Sequence, residues 1–163
     1  MPAFTVRALA PDEILSVYPL IRETMRGISL AVWTDFARRL TSRRLHNAGI
    51  MAAWREGRPF PCGLFCYRVD ATLGQGRVLI AEYFVAIDLL DPKGVLDALV
   101  AELDDLGQRL ACNAVRSLVH GGEPALAVGL AAAGHEPEGS LLLKALATRA
   151  APRRRHAPAA CPH

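Results

Sequence analysis

The chain has 163 residues, 52% of them apolar and 21% charged, enough for one compact core and too few for two comfortable domains. No apolar run reaches the ~20 residues that span a bilayer, because Glu82 and Asp88 interrupt the longest, and "MPAFTVRALAPDE" lacks a signal peptide's apolar block, so a cytoplasmic protein is expected. The formal charge of +3 sits in the C-terminal segment: without Arg149, Arg153, Arg154 and Arg155, 15 basic groups face 16 acidic ones, which argues against a general affinity for nucleic acid.

In chain order, "FTVRAL" alternates as a first strand. Residues 12–25 then place Ile14, Val17, Tyr18, Ile21 and Met25 at helical spacing, and Pro19 inside the run predicts a kink or a split into two pieces. A second helix is expected over 34–46, with Thr34 as its N-cap. Trp33, Phe36 and Leu40 should face inward, and Arg38, Arg39, Arg43 and Arg44 mostly outward. That arginine face suits an anionic substrate or partner, and equally a solvated helix surface.

Three strand candidates follow: "GIMAAWR", "CGLFCYRVD" and "RVLIAEYFVAID". The linkers "EGRPFP" and "ATLGQG" are rich in turn-forming residues, so antiparallel hairpins are the economical topology. "GQG" precedes a strand and not a helix, which makes it turn punctuation and not a dinucleotide fingerprint. Cys62 and Cys66 share a strand face at a spacing unlike a zinc knuckle. With Cys112 and Cys161 they read as free thiols, and no metal site is expected.

At "DPKG", Asp91 is placed as N-cap of the next helix with Pro92 at its first position, and Leu96, Leu99, Leu103, Leu106 and Leu110 form its apolar stripe. A strand "NAVRSLV" follows, then a helix over 123–133 closed by Gly134, then a last strand "SLLLKAL". The strand-helix-strand unit requires part of the sheet to be parallel, with helices covering it. The expected class is α/β, α+β-like, a single domain over 1–147 with a mixed central sheet, an antiparallel meander and helices on both faces. An Arg/Pro/Ala-rich tail over 148–163 is expected to be disordered. No Ser-His-Asp order, Walker loop or metal-ligand helix motif supports a hydrolase, nucleotidase or metalloprotease.

One strand, two helices, a three-stranded meander, then helix, strand, helix and strand: this order resembles the GNAT superfamily of N-acetyltransferases over residues 4–147. In that family the fourth strand leads into a pyrophosphate loop of the form Arg/Gln-x-x-Gly-x-Gly/Ala, and acyl-CoA lies between splayed strands four and five. With Gly94 set on the first glycine, Asp91 stands at the Arg/Gln position and Leu96 at the second Gly/Ala, so the loop is a divergent one. The resemblance implies an acyl-CoA cofactor, acetyl-CoA or another, held by Val85, Ile87, Lys93, Gly94 and Val95.

It also implies direct attack of an amine on the thioester. Glu82 is the candidate base, with a cross-strand ion pair to Arg68 as the structural alternative. On the same face, Val78, Ile80 and Phe84 would supply an apolar setting. His120, at the end of strand five, is the candidate acceptor-side group, or a solvated turn residue before "GGE". Leu130 occupies the position, four residues before the helix-ending glycine, where many members carry an acidic tyrosine. Tyr67 and Tyr83 read as sheet-packing aromatics.

Two functions follow as expectations. One is an acyl-CoA-dependent N-acyltransferase acting on a small-molecule or protein amine. The other is a GNAT-fold module without catalysis that binds a ligand or partner. Neither calls for nucleic acid or a membrane, and a homodimer is compatible with both.

Overall fold

The computed structural model describes residues 4–42, 47–120 and 123–146. The tail expected over 148–163, and Arg43 and Arg44 of the expected arginine face, lie outside the described residues.

The chain opens with β1 (Phe4–Ala8) and a 3₁₀ turn at Pro11–Glu13, followed by α1 (Tyr18–Thr24). Pro19 lies in the first turn of α1, where a missing amide hydrogen breaks no helical bond, so the apolar run of 12–25 is divided as its proline requires. Helix α2 spans Leu30–Leu40 and starts earlier than the sequence suggested: Ser29 is its N-cap, with Oγ accepting from the Val32 amide at 3.3 Å. Thr34 is an interior residue of this helix, since the first available capping hydroxyl is that of Ser29. Trp33 and Ala37 are buried along the inner face of α2, while Arg38 and Arg39 are exposed.

Next come β2 (Ala48–Arg55), β3 (Pro61–Thr72), β4 (Gly76–Ala86), α3 (Pro92–Arg109), β5 (Ala114–Ser117) and α4 (Pro124–Ala132). The five strands form one sheet in sequence order. β1 to β4 are antiparallel neighbours, and β5 runs parallel to β4, as the intervening helix demands. The leucine stripe of α3, Leu96, Leu99, Leu103 and Leu106, is buried against one face of the sheet together with Leu126 and Leu130 of α4. Ile14, Val17, Ile21 and Trp33 cover the other face around Ile50, Leu64 and Val85. The result is a mixed sheet between two helical layers in one α/β domain.

The expected last strand is not formed. After α4, Gly134 takes a positive φ of 90° and residues 135–146 carry no regular secondary structure. A strand needs a partner edge as well as a pattern. β5 offers only four residues, and Glu138 is tied across that edge to Arg116 at 2.6 and 2.8 Å. "SLLLKAL" moreover does not alternate, so no face is specified for it, and Leu141, Leu142 and Leu143 stay exposed.

Candidate acyl-transfer site between strands four and five

The site begins with a slip in β4. Leu64 pairs with Val85 but Cys66 pairs with Glu82, so β4 carries one more residue than β3 at this point. Tyr83 absorbs the excess with a φ of 57°, a left-handed conformation that a tyrosine adopts only at a cost of order 1–3 kcal/mol. Such a bulge changes which residues share a face. Glu82 faces the same side as its partner Cys66, which belongs to the cluster under α1 and α2, and Tyr83 packs on that cluster too. Phe84 therefore turns to the opposite face, where its ring lies 5.4 Å from that of Phe65 beneath α3. It does not share the face of Glu82, as strict alternation had suggested.

Glu82 Oε1 accepts from Arg68 Nη1 at 2.6 Å. The pair is diagonal, since Arg68 stands directly opposite Ile80. Among the described residues Oε2 of Glu82 makes no hydrogen bond. Beside it, burial pushes the Cys66 thiol well above its ordinary range, with the Glu82 charge adding to the effect, so Cys66 stays a neutral, unreactive group. The ring of His120, just beyond β5, is stacked on that of Tyr83 with centroids 5.9 Å apart. His120 thus lies against the residue next in the chain to Glu82, a tyrosine that sequence reasoning had assigned to packing.

The same bulge re-aims the backbone. Below it, the carbonyls of Arg77 and Ala81 accept from Asn113 and Leu118, both at 2.8 Å, so the odd-numbered residues face β5. Above it, the Ile87 amide donates to Cys62 at 2.7 Å, so the odd-numbered residues now face β3. The backbone groups of Phe84 and Ala86 are left facing away from β3, toward the β5 side. β5 does not meet them: its register with β4 ends at Ala81 and Ser117, with the Leu118 amide as the last bond. The strands part there. At the fork, Ser117 Oγ is buried and has no hydrogen-bond partner, the one such side-chain atom among the described residues.

Of the residues expected to hold a cofactor, Val85 is a core side chain at 2% exposure, and the Ile87 amide is already bonded. Lys93, Gly94 and Val95 form the first turn of α3. Asp91 caps that turn, its Oδ1 accepting from the Gly94 amide at 2.8 Å, and its carbonyl accepts from Val95 at 3.3 Å. A Cβ on Gly94 would lie 2.2 Å from Asp91 Oδ2, so the missing side chain makes room for the protein's own carboxylate. Val95 is fully buried, and Lys93 pairs with Asp97 on the surface. One turn upstream, Asp88 accepts from the amides of Leu90 and Asp91 at 2.8 and 2.9 Å and from Arg55 at 2.6 and 2.8 Å. The Asp91 amide, with the Leu90 amide and the Arg55 guanidinium, holds the Asp88 carboxyl below the usual carboxylate range.

Backbone groups left without a strand partner beyond the fork suit the amide-bearing pantetheine arm of CoA, and Ser117, beside them, also lines the large cavity at the edge of β5. The N-terminus of α3 does not fit a pyrophosphate as it stands, because a carboxylate already occupies the position that an anion would take. Leu130, where an acidic tyrosine was looked for, is a core residue under α4 at 4% exposure.

Two cavities flank this arrangement. A shallow one of about 140 Å³ lies between α1, α2 and β4 and is lined only by apolar and aromatic side chains, among them Met25, Ile28, Val32, Trp33, Phe36 and Tyr83. A larger one, about 720 Å³, lies along the outer edge of β5 and is closed by α4 and residues 133–139. Among the described residues no group of three or more His, Cys, Asp or Glu side chains could hold a metal ion, and no helix is long and apolar enough to cross a membrane.

No family model and no curated protein sequence matches the chain. Solved structures do. The aminoglycoside N-acetyltransferase AAC(6')-Iy in complex with CoA superposes with a TM-score of 0.74 at 13% identity, over 90% of this chain and 96% of the other. An aminoglycoside acetyltransferase from an uncultured soil metagenomic sample, in complex with sisomicin, gives 0.70 at 10% identity over 90% and 97%. A ribosomal-protein-alanine N-acetyltransferase from Brucella melitensis biovar Abortus 2308 gives 0.67 at 15% identity over 87% and 99%. The agreement extends over nearly the whole of each chain, and the chain has the fold of the GNAT N-acetyltransferases.

Proposed function

We propose that the protein is an acyl-CoA-dependent N-acyltransferase that acylates an amine by direct attack. The observation that carries this reading is the fork at Ala81 and Ser117, where β4 leaves β5 and offers the backbone of Phe84 and Ala86. A bound acyl-CoA supplies an activated thioester carbonyl. Phe84 and Ala86 hold its pantetheine arm by main-chain hydrogen bonds, Ser117 adds its hydroxyl, and Lys93 faces the phosphates. Two of the solved structures with this fold have aminoglycoside acetyltransferase in their names, one of them in complex with CoA, which supports both the cofactor and a small-molecule amine as acceptor.

Glu82 takes the proton of the attacking amine, directly or through one water, on its free Oε2, while Arg68 fixes Oε1. His120, held by its stack on Tyr83, lines the acceptor side. Cys66 is excluded as a nucleophile by its burial, so no acyl-enzyme is formed there. Leu130 offers no proton to a leaving thiolate, but an ordinary thiol pKa near 8.5 lessens the need for a dedicated acid at neutral pH.

The test is a calorimetric titration with acetyl-CoA. Saturable micromolar binding, weakened severalfold by Ser117→Ala and by Lys93→Glu, supports the reading, and no heat at millimolar cofactor removes it. In a thiol-release assay with an accepted amine, Glu82→Gln should lower kcat and leave acetyl-CoA binding unchanged. A second reading, a GNAT-fold binding module without catalysis, is favoured by one observation, the Asp91 carboxylate seated on the Gly94 amide. It predicts ligand or partner binding with no thiol release.

A further inference from the structure

We propose that the cavity between α1, α2 and β4 is the acceptor pocket and that it selects a primary amine carrying one compact apolar arm, of phenyl or isobutyl size, over polyamines. The inference rests on the transferase reading and adds the class of substrate to it.

The first argument is size and lining. A volume of about 150 Å³ is room for one benzene-sized guest. This one measures about 140 Å³ and no charged side chain lines it. Two of the polar tips around it are already used: Trp33 Nε1 donates to the Ile14 carbonyl at 2.9 Å, and the Tyr18 hydroxyl to the Ile28 carbonyl at 3.1 Å, which leaves the Tyr83 hydroxyl as the one polar side-chain group of the lining among the described residues. The rest of what the walls present to a guest is hydrocarbon and aromatic face. The cavity is not closed core, since Val32 on its rim is 55% exposed and Met25, Ile28, Phe36 and Tyr83 are only partly buried.

The second argument is position. Tyr83 is shared between this cavity and the catalytic candidates: its ring meets Phe36 edge-on at 5.6 Å and His120 by stacking at 5.9 Å, and Glu82 precedes it on the same sheet face. Its left-handed backbone is the strained point of β4, and strain of that kind gathers at working sites. An apolar arm seated against Phe36 and Tyr83 leaves its amine near Glu82, toward the fork.

The third argument is charge. Glu82 is paired with Arg68, which also holds Asp70 at 3.2 Å, and α1 with its following turn and α2 carry Arg22, Arg26, Arg38 and Arg39 against Glu23 and Asp35, so that five positive groups face four negative ones. A polycation would meet net positive charge and an apolar floor, and the second and third ammonium groups would lose water without gaining a partner.

The experiment uses the full chain with Trp54→Phe, which leaves Trp33 as the sole indole. Intrinsic fluorescence is titrated with 2-phenylethylamine, ethylamine and spermidine, and acetyl-CoA binding is measured separately by calorimetry. Expected is saturable binding of 2-phenylethylamine at least about tenfold tighter than ethylamine, from the burial of several apolar carbons, with spermidine no tighter than ethylamine. Val32→Phe, at a rim position that tolerates bulk, should fill the cavity and remove at least about tenfold of that affinity with an unchanged melting temperature. Equal affinity for the two monoamines, tightest binding of spermidine, or indifference to Val32→Phe each overturns the proposal. Acetyl-CoA binding with no phenyl preference refutes the apolar class and leaves the transferase standing. A phenyl preference without acetyl-CoA binding refutes the transferase reading, and with it the pocket's role as an acceptor site.

Discussion

Replacing Asp91 with asparagine separates two things that the wild-type carboxylate does at once. Asparagine is as good an N-cap as aspartate, so the bond to the Gly94 amide, 2.8 Å in the wild type, is retained. What is lost is the charge–dipole attraction at the helix start, about 0.3–1 kcal/mol, which for a chain of this size lowers Tm by no more than about 4 °C. What is gained is relief of repulsion toward an incoming pyrophosphate. A unit charge about 4 Å away at an effective dielectric near 20 contributes about 4 kcal/mol, and salt screening at a half-exposed site brings this to about 2–4 kcal/mol. Acetyl-CoA should therefore bind about thirtyfold to several hundredfold more tightly to the asparagine variant, read by calorimetry at 0.15 M salt. Asp91→Ala also frees the Gly94 amide but gives up the cap, at about 1 kcal/mol of stability. An asparagine variant whose affinity stays within about threefold of wild type, with the small Tm loss as expected, would refute the electrostatic account of this loop.

Ser117→Ala should leave the free protein as stable as wild type or up to about 1–2 kcal/mol more stable, because the buried hydroxyl has no partner to lose; a destabilisation above about 1 kcal/mol in urea unfolding would show that the hydroxyl is bonded after all. Gly63→Ala places a Cβ 2.6 Å from Val95 Cγ1 and 2.8 Å from the Val85 carbonyl oxygen. Since backbone cannot yield as a side chain does, a loss of about 1–3 kcal/mol is expected, only partly recovered by adding Val95→Ala, and full recovery would mean that the carbonyl contact is soft. Glu13 is held down to about 2 from 4.5 by its side-chain bonds to Arg7, at 2.7 and 2.8 Å, helped by the Ala10 amide. A folded-state pKa below the unfolded one gives stability that is complete above about pH 4.5 and is lost as pH falls toward about 2. The pair is largely solvated, so Glu13→Gln should be less stable by no more than about 1 kcal/mol at pH 7, a gap that must close by about pH 2 in urea midpoints if the linkage is right.

Much of the fold was legible in the sequence because it rests on period. The leucine stripe of α3, the alternation of β1 and the turn residues of the meander each specify one element, and the parallel placement of β5 follows from the helix before it. Pro19 and Gly134 marked helix ends for reasons of backbone geometry and did so in the structure. Local chemistry was less decisive where two residues competed, as Ser29 did with Thr34 for the cap of α2. It failed where tertiary pairing decides, as in "SLLLKAL", whose partner edge is short and crossed by the Arg116–Glu138 pair.

The site itself was half legible. The Asp91 cap was read from residue type and position and is formed, Glu82 and His120 were candidates from the resemblance and stay proposals, and the bulge at Tyr83 has no mark in the sequence. A glycine in that left-handed position would have announced it, and a tyrosine does not. Because side-chain direction alternates with a period of two, one inserted residue moves Phe84 to the other face and exchanges which amides look toward β5. That is why the sequence did not point to the backbone of Phe84 and Ala86, here proposed to hold the cofactor, and why Tyr83 was read as packing alone. The larger loop-level signal, a helix start free to take an anion, is absent because Asp91 supplies the anion from within.

These two ends of the candidate site are built from different materials. The fork between β4 and β5 is made by backbone, a register that ends at Ser117 and a bulge that turns the amides, and many sequences can produce it. A pyrophosphate at the other end would depend on which side chains stand at 91 and 96, and a single carboxylate is enough to change that. A chain can therefore keep the architecture at 10–15% identity to solved structures of the same fold. It follows that affinity for the cofactor should be raised by substitutions at one residue, Asp91, whereas nothing done at that loop should restore binding if the fork is closed by a bulky residue at 117. The ranking of those two perturbations distinguishes a transferase with a self-capped loop from a fold whose gap is not a ligand site.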